Sequence, residues 1–511
     1  MRAKKAAFNS IANLIHEFAV IVSGLILPRL VLTHFGSGYN GVIASVGQFI
    51  GYISLLAAGV TGVTRAALYK PLAEKDTQKI SGIMRATEIF MRKVAIFFLF
   101  ILLGIAVFYP MLVGDDFDRL FVATLSLIMG IGTFVRYFFG ITYNTLLSAD
   151  QRKYVSTLCH TVTIFLNLAC AAALILAGFE IRVIKFASSL VFAINPLFIY
   201  IYVKKRYKLI RNIEPDNVAI NQRWDAFAQK LANFARSNID IIILTAFLGI
   251  MEVSVYVVYF MIIRMVRVIV RSLAGAGMEA PFGNMIAKGE HKSLKKGLRV
   301  YEFILYSASA AMFVCTAILI VPFVMAYTTG VYDVDYYRPM FAIVACTAEF
   351  FNTARVPAQT LVGAAGHYKQ TRNGAIVEVI INIIASLIFV HIFGLVGVAM
   401  GSLCALLFRT LQLHAYASKH IAKRSFWVFV QKISVAGLSA LLIVLLVQLL
   451  PGMGTQSLFS WFLYALSVVG VAAVVTAIIT FIFYRDVIVI IYGIIRKMVL
   501  KKRKPTKEGS V

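Results

Sequence analysis

The sequence predicts an all-α integral membrane protein of about 14 transmembrane helices, built as two six-helix lobes with two further helices at the C-terminal end. Three observations carry this. Only 14% of the 511 residues are charged while 60% are hydrophobic, and the mean hydropathy is +0.84. A soluble chain of this length carries roughly a quarter charged residues, so there is too little polar surface to coat a water-soluble fold. Long uncharged runs recur, for example Ile96 to Val113 and Val435 to Leu450. Lys and Arg concentrate in alternate connecting segments.

A bilayer cannot hydrogen-bond a bare backbone, so spanning segments are helices or closed barrels. The apolar runs are continuous, which excludes the alternating pattern of barrel strands. Fourteen spans follow: 8–33, 39–67, 93–113, 119–146, 154–178, 183–203, 226–249, 251–275, 300–327, 338–364, 373–393, 395–417, 427–450 and 457–483. With the N-terminus inside, the cytoplasmic segments hold 35 Lys and Arg, and the outer ones hold three, Arg119, Arg182 and Arg338. One span wrongly split or merged would invert every later loop and destroy this asymmetry. The charge distribution therefore supports an even number of spans with both termini in the cytoplasm. Asp115, Asp116, Asp118, Asp333 and Asp335 fall outside. Segment 68–92 places Ile80, Ile83, Met84 and Ile89 among charges and is expected to lie on the inner surface as an amphipathic helix.

The net charge of +27 does not point to nucleic acid, because the basic residues sit in short loops where orientation signals belong. The first apolar run continues to Leu32, too long for a signal-peptide core. Cys159, Cys170, Cys315, Cys346 and Cys404 all fall in apolar spans, with no C-x-x-C pair, and read as small core residues.

An internal repeat is visible. Ala149, Gly178 and Tyr200 recur as Ala365, Gly394 and Tyr416, each shifted by 216 positions. Six spans per half is an even number, so the halves are parallel repeats about an axis along the membrane normal. The expected division is 1–210 and 211–425 for the two lobes, 426–484 for the two added helices, and 485–511 for a basic cytoplasmic tail.

No Walker A, H-E-x-x-H or G-x-S-x-G pattern occurs, and no loop is long enough for a catalytic domain, so an enzyme is not expected. The single D-x-D, Asp333-Val334-Asp335, lies on the outer side and reads as a solvated loop. Charges within the spans say more, since they are costly in hydrocarbon and face a bundle interior or a watery cavity. Arg264, Arg267 and Arg271 share one helical face at i, i+3, i+7. They read as the anion-binding wall of a cavity or, for Arg271 in particular, as snorkelling anchors. Arg29 follows the helix-kinking Pro28. Arg65 lies near the inner end of span two, and Arg136 and Arg355 lie deep in spans four and ten. Glu349 is a candidate partner for Arg355. His16 and Glu17 are interfacial or cavity-facing.

A second group is acidic or amide. Asp240 follows Asn238 in span seven, and Glu378 and Asn382 are one turn apart in span eleven. A buried carboxylate with amide oxygens suits a Na⁺ site or a proton-exchanging site, while helix-to-helix hydrogen bonding is the structural alternative.

Leu27-Pro28-Arg29-Leu30, Phe35-Gly36 and Tyr39-Asn40-Gly41 resemble the first hairpin of Wzx-type polysaccharide flippases. Ala149-Asp150-Gln151-Arg152-Lys153-Tyr154, Ser237-Asn238-Ile239-Asp240 and Gly366-His367-Tyr368-Lys369 resemble later parts of that family. The resemblance covers residues 8 to 420, and the group shares a superfamily with MATE drug exporters and lipid II flippases. It implies two six-helix lobes in a V around a central cavity and alternating access between them. The implied cargo is a polyprenyl-pyrophosphate-linked oligosaccharide, moved from the inner to the outer leaflet of a bacterial cytoplasmic membrane. Arg264, Arg267, Arg271, Arg29, Arg65, Arg136 and Arg355 would hold the pyrophosphate, for which planar guanidinium donors are suited. The resemblance to lipid II flippases implies a cation site in which Asp240, Glu378 and Asn382 take part. No cofactor is expected beyond Na⁺ or H⁺ as a coupling ion. The partners implied are the lipid-linked oligosaccharide, membrane lipids and polysaccharide assembly enzymes, with no nucleic acid. The alternatives are a MATE-like small-molecule exporter, a membrane-embedded polysaccharide polymerase and an uncoupled scramblase.

Overall fold

A computed structural model describes residues 2–113, 117–210, 213–217, 239–273, 278–451 and 457–490. Every regular element among them is a helix. Among the described residues, eleven helices are long and apolar enough to cross a membrane. The other three expected spans each have a reason to stand apart. The second belongs to the 38-residue helix Ser37–Glu74, where the side chains of 52–59 lie outside the described residues. Most of the seventh, with Asn238, lies outside them too, as do Asp115, Asp116 and tail residues 491–511. The tenth is two helices, Pro339–Ala354 and Val356–Ala364.

The chain forms two packing units, Met1–Met261 with Gly330–Asp335, and Ile262–Thr329 with Tyr336–Val511. The lobe boundary expected at 210/211 adjoins positions outside the described residues. The division into packing units falls within one helix, at Met261.

The first unit contains α1 (Arg2–Phe35), α2 (Ser37–Glu74), α3 (Thr77–Val113), α4 (Arg119–Val135), α5 (Ile141–Ala149), α6 (Lys153–Leu176) and α7 (Ile181–Arg206). It also holds the N-terminal half of α8 (Ile250–Leu273), as far as Met261. Lipid tails are as apolar as leucine, so these helices are held by close packing and by hydrogen bonds between them. Val42, Val46, Phe98, Val122 and Leu125 form the centre of one core cluster. Polar pairs cross between helices: Asn40 Nδ2 donates to Ser254 Oγ at 2.9 Å, and the hydroxyls of Ser45 and Thr245 meet at 2.8 Å. Such bonds contribute about 0.6 kcal/mol each in a membrane protein.

Segment 68–92 departs from its expected surface position. Helix α2 runs on to Glu74, and α3 begins at Thr77 and continues unbroken through the apolar span. Ile80, Ile83 and Met84 are buried against Tyr143, Leu146, Ile199 and Val203. The apolar face that suggested a lipid surface has found a partner within its own unit.

The second unit holds α9 (Glu279–Ala287), α10 (His291–Tyr327), α11 (Pro339–Ala354), α12 (Val356–Ala364), α13 (Tyr368–Phe393), α14 (Leu395–Ala417), α15 (Trp427–Val447) and α16 (Leu458–Phe483). Helices α13 and α14 make the most extensive pairing. A Cβ on Gly397 would collide with Phe389 and one on Gly401 with Ser386, so this G-x-x-x-G spacing lets the two backbones touch. Helices α15 and α16 pack along α10. Cys315, Leu319, Ile443, Val447, Val468 and Val475 form their shared core, with Trp461 Nε1 donating to the Leu319 carbonyl at 3.0 Å. At the other end Glu302 of α10 accepts from Arg424 through both oxygens and from Lys432 Nζ at 2.6 Å. The added helices are thus tied to the unit by an apolar seam and a buried ion triad.

Candidate functional site

Helix α8 carries three arginines on one face, and the structure gives them different surroundings. Arg264 and Arg271 are exposed and Arg267 is half-buried. Arg267 Nη1 donates to Glu349 Oε1 at 2.8 Å, and Arg271 Nη2 reaches Asn352 Oδ1 at 3.4 Å. Glu349 is therefore the partner of Arg267, and the pairing expected with Arg355 does not form. Glu349, Asn352 and Arg355 recur every three residues on α11 and its C-cap, which keeps them along one side. Asn352 links them, donating from Nδ2 to Glu349 Oε2 at 2.9 Å and accepting from Arg355 Nη2 at 2.6 Å.

Arg355 stands where the tenth span breaks. Pro357 at the start of α12 has no N–H for the Thr353 carbonyl, so the ladder of bonds is interrupted there. Next to this break Arg355 Nη1 donates to Glu378 Oε1 on α13 at 2.7 Å. The two side chains are only 4% and 2% exposed. Arg409 of α14 approaches the other carboxylate oxygen at 3.5 Å and donates to Gln412 Oε1 at 2.6 Å. Asn382, one turn along α13, donates to Ser402 Oγ at 2.9 Å, and its Oδ1 has no hydrogen-bond partner among the described residues. The carboxylate that the sequence offered to a coupling cation is thus engaged by two guanidiniums.

These residues form one polar seam through the second unit, linking α8, α11, α13 and α14. Among the described residues, Arg267, Arg271, Arg355 and Arg409 face two carboxylates, Glu349 and Glu378, so the seam is cationic before Arg264 is added. Burying a charge is tolerable only when it is paired and hydrogen-bonded, which the deeper members satisfy. Among the described residues, the surplus lies towards the exposed Arg264.

Sequence reasoning missed Arg409, Asn352 and Ser402. Arg409 had a readable signal, an arginine inside an apolar span. Asn352 had one too, three residues from both Glu349 and Arg355. Nothing in the sequence marks Ser402.

The remaining expected residues lie in the first unit. Arg29 is half-buried beside Pro28, and Arg65 is exposed on α2. Arg136 opens a π-helical turn, Arg136–Gly140, of the kind that often marks functional sites. It lines a polar cavity of ≈ 600 Å³ with His16, Glu17, Asn144, Lys153 and His160. His16 and Glu17 therefore face a cavity. The rings of His16 and His160 lie 5.0 Å apart. Asp240 accepts from Tyr256 Oη at 3.0 Å. The structure thus brings Arg267, Arg271, Arg355, Glu378 and Asn382 into one unit, and places Arg29, Arg65, Arg136 and Asp240 in the other.

The helices make a multi-pass membrane protein, and the fold is similar to that of several solved membrane transporters. Particular likenesses are to lipid II flippase MurJ in an inward closed conformation and to a multidrug resistance MATE family transporter in an inward-facing conformation. The first has TM-score 0.70 and 14% identity, covering 94% of this chain and 99% of that one. The second has TM-score 0.59 and 16% identity, covering 85% and 99%. A MOP superfamily transporter from Pyrococcus furiosus, described as having a binding pocket of reverse polarity, gives TM-score 0.51 and 16% identity over 82% and 94%. No protein-family model and no curated protein matches the sequence.

Proposed function

We propose that this chain is a Wzx-type flippase that carries a polyprenyl-pyrophosphate-linked oligosaccharide from the inner to the outer leaflet of a bacterial cytoplasmic membrane. The observation that carries the reading is the cationic surplus of this polar seam among the described residues, with Arg264 exposed. Arg264, Arg267, Arg271, Arg355 and Arg409 stand against Glu349 and Glu378 within apolar helices. A guanidinium does not face hydrocarbon without large cost, so the exposed side of α8 at Arg264 fits a water-filled space. An anionic cargo head would complete its charge balance, and pyrophosphate suits the planar donors of arginine. Such a surplus disfavours a small cationic drug as cargo.

Transport would proceed by alternating access between lobes at 1–210 and 211–425, with helices 426–484 added to the second. Both termini would be cytoplasmic, and polysaccharide assembly enzymes would supply and consume the cargo. Arg29, Arg65 and Arg136 would contribute from the first lobe. Coupling would use Na⁺ or H⁺. Asp240 is the preferred carboxylate, because Glu378 is already engaged by Arg355 and Arg409. An ion biases a two-state transporter only through differential affinity for the two states.

The test is translocation in vesicles of defined lipid. Purified protein should move a polyprenyl-pyrophosphate oligosaccharide across the bilayer, respond to an imposed Na⁺ or proton gradient, and lose that response in Asp240→Asn. Transport that ignores both gradients would make the protein a scramblase.

A further inference from the structure

A second basic cavity lies in the first unit, well apart in sequence from the arginines of α8. It has a volume of ≈ 540 Å³ and is formed by the N-terminal turns of α3, the C-terminal end of α7 and the segment that follows α7. Arg85 and Arg92 project from α3, and Lys204 and Lys208 from the end of α7 and just beyond. Tyr143 and Tyr200 add aromatic wall. We propose that this cavity binds a phosphate group at the basic surface of the protein.

The scaffold is built rather than incidental. Ile210 N donates to Ser81 Oγ at 3.0 Å, and Asp216 N donates to the Gly82 carbonyl at 3.1 Å, which fastens the segment after α7 onto α3. Tyr207 Oη donates to Asp150 Oδ2 at 2.6 Å and holds the same segment from the other side. Beneath the cavity lies the core of Leu68, Ile83, Met84, Leu146 and Val203. The walls are therefore fixed by packing, and a ligand would find them preformed.

The charges do not balance. Among the described lining residues, four cations stand against one carboxylate, Glu88, which pairs with Arg92 at 2.5 Å and more loosely with Arg85 at 3.7 Å. Lys204 lies 3.9 Å from the centroid of the Tyr200 ring and donates to its hydroxyl, which holds the ammonium at the wall. Orientation signals alone would splay basic side chains outward into headgroups. Here two helices aim theirs at one concavity, where like charges repel unless an anion joins them. A phosphate oxygen cluster accepts from several guanidinium and ammonium donors at once, which matches four cations around one space. The rim belongs to the end of the spans that carries the basic loops. The phosphate would therefore come from an anionic lipid headgroup or from solution.

Two probes separate these sources, both applied to the purified full-length protein. One is retention of phosphatidylglycerol against phosphatidylcholine, read by native mass spectrometry. The other is titration with inorganic phosphate, read by calorimetry. The variant is Lys204→Gln with Lys208→Gln, both exposed side chains outside the core. The control is Lys292→Gln with Lys295→Gln, which removes the same charge from exposed positions on another basic segment. We expect at least tenfold weaker binding in the cavity variant and wild-type binding in the control, with thermal midpoints unchanged. Loss confined to phosphatidylglycerol identifies a headgroup site, and loss of inorganic phosphate identifies a soluble ligand. Absence of binding to the wild type, or equal loss in the two variants, overturns the proposal.

Discussion

Arg355 and Glu378 form a buried ion pair across the break in the tenth span, at 2.7 Å and with almost no exposure of either side chain. The pair sits between two further contacts, Arg355 to Asn352 on one side and Glu378 to Arg409 on the other. A kinked helix, α11–α12, is thereby held to the tightly paired α13 and α14. Removing one partner of such a pair leaves a buried charge uncompensated, which costs about 3–5 kcal/mol. Glu378→Gln and Arg355→Ala should each lower the thermal midpoint sharply in detergent, and the double variant should lose less than the sum. Additive losses would mean the two side chains act independently.

Gly374 gives Arg409 its place. A Cβ at position 374 would meet Arg409 Nη1 at 2.6 Å and Gln412 Oε1 at 2.6 Å, both at the ends of flexible side chains. Gly374→Ala should therefore move the guanidinium without unfolding α13. The expected outcome is a thermal midpoint within a few degrees of wild type together with impaired transport. A variant that transports normally would show that the position of Arg409 is unimportant.

Asp333 performs a capping task that its place in a D-x-D did not suggest. Its carboxylate accepts from the Ser37 backbone N–H and from Ser37 Oγ, both at 2.6 Å, at the start of α2. Gly36 precedes it with φ of +87°, and a Cβ there would meet Asp333 Oδ2 at 2.7 Å. Asp333→Ala should cost about 1 kcal/mol, the usual worth of a helix cap. Gly36→Ala should cost more, because it combines backbone strain with that clash. Thermal unfolding of the two variants side by side tests the ordering.

Glu302 should hold the base of α15 in place. Glu302→Gln weakens its contacts with both Arg424 and Lys432 while preserving shape. The expected result is faster proteolysis after α14, since two cations lose their counter-charge in a buried setting. Unchanged proteolysis would leave the apolar seam of Leu319, Ile443 and Val475 as sufficient by itself.

Topology is open to a direct check. Single cysteines at Lys292 and at Asp333 should fall on opposite sides, the first cytoplasmic and the second outside. Labelling of position 292 in intact cells by a membrane-impermeant thiol reagent would reverse the assignment.

The helical architecture was legible because hydrophobic runs and alternating basic loops report directly on membrane spans. The tenth span shows the limit. Its composition reads as one helix, and only Pro357 hints at the break that seats Arg355. Segment 68–92 was misplaced because an amphipathic pattern states that a face will be buried, not what will bury it. Among the site residues, Arg267 and Arg355 were found as costly intramembrane charges. Glu349 and Glu378 were found as well, but not as their partners: Glu349 lies six residues from Arg355 and pairs instead with Arg267, because pairing depends on how α8 meets α11. Arg409 could have been found by the same rule and lies 3.5 Å from the second oxygen of Glu378.

An anionic cargo would meet the exposed arginines of α8, and Arg264 tests this most cleanly because it pairs with no carboxylate among the described residues. The decisive measurement is translocation of a polyprenyl-pyrophosphate oligosaccharide in vesicles containing wild type, Arg264→Ala or Arg264→Lys, at equal insertion and equal thermal midpoint. One charge-assisted contact is worth about 1.5–3 kcal/mol, so alanine should slow transport roughly tenfold or more, and lysine should restore part of it. Wild-type rates in Arg264→Ala, or a wild-type protein that moves cationic dyes and leaves the lipid-linked sugar in place, would contradict the account.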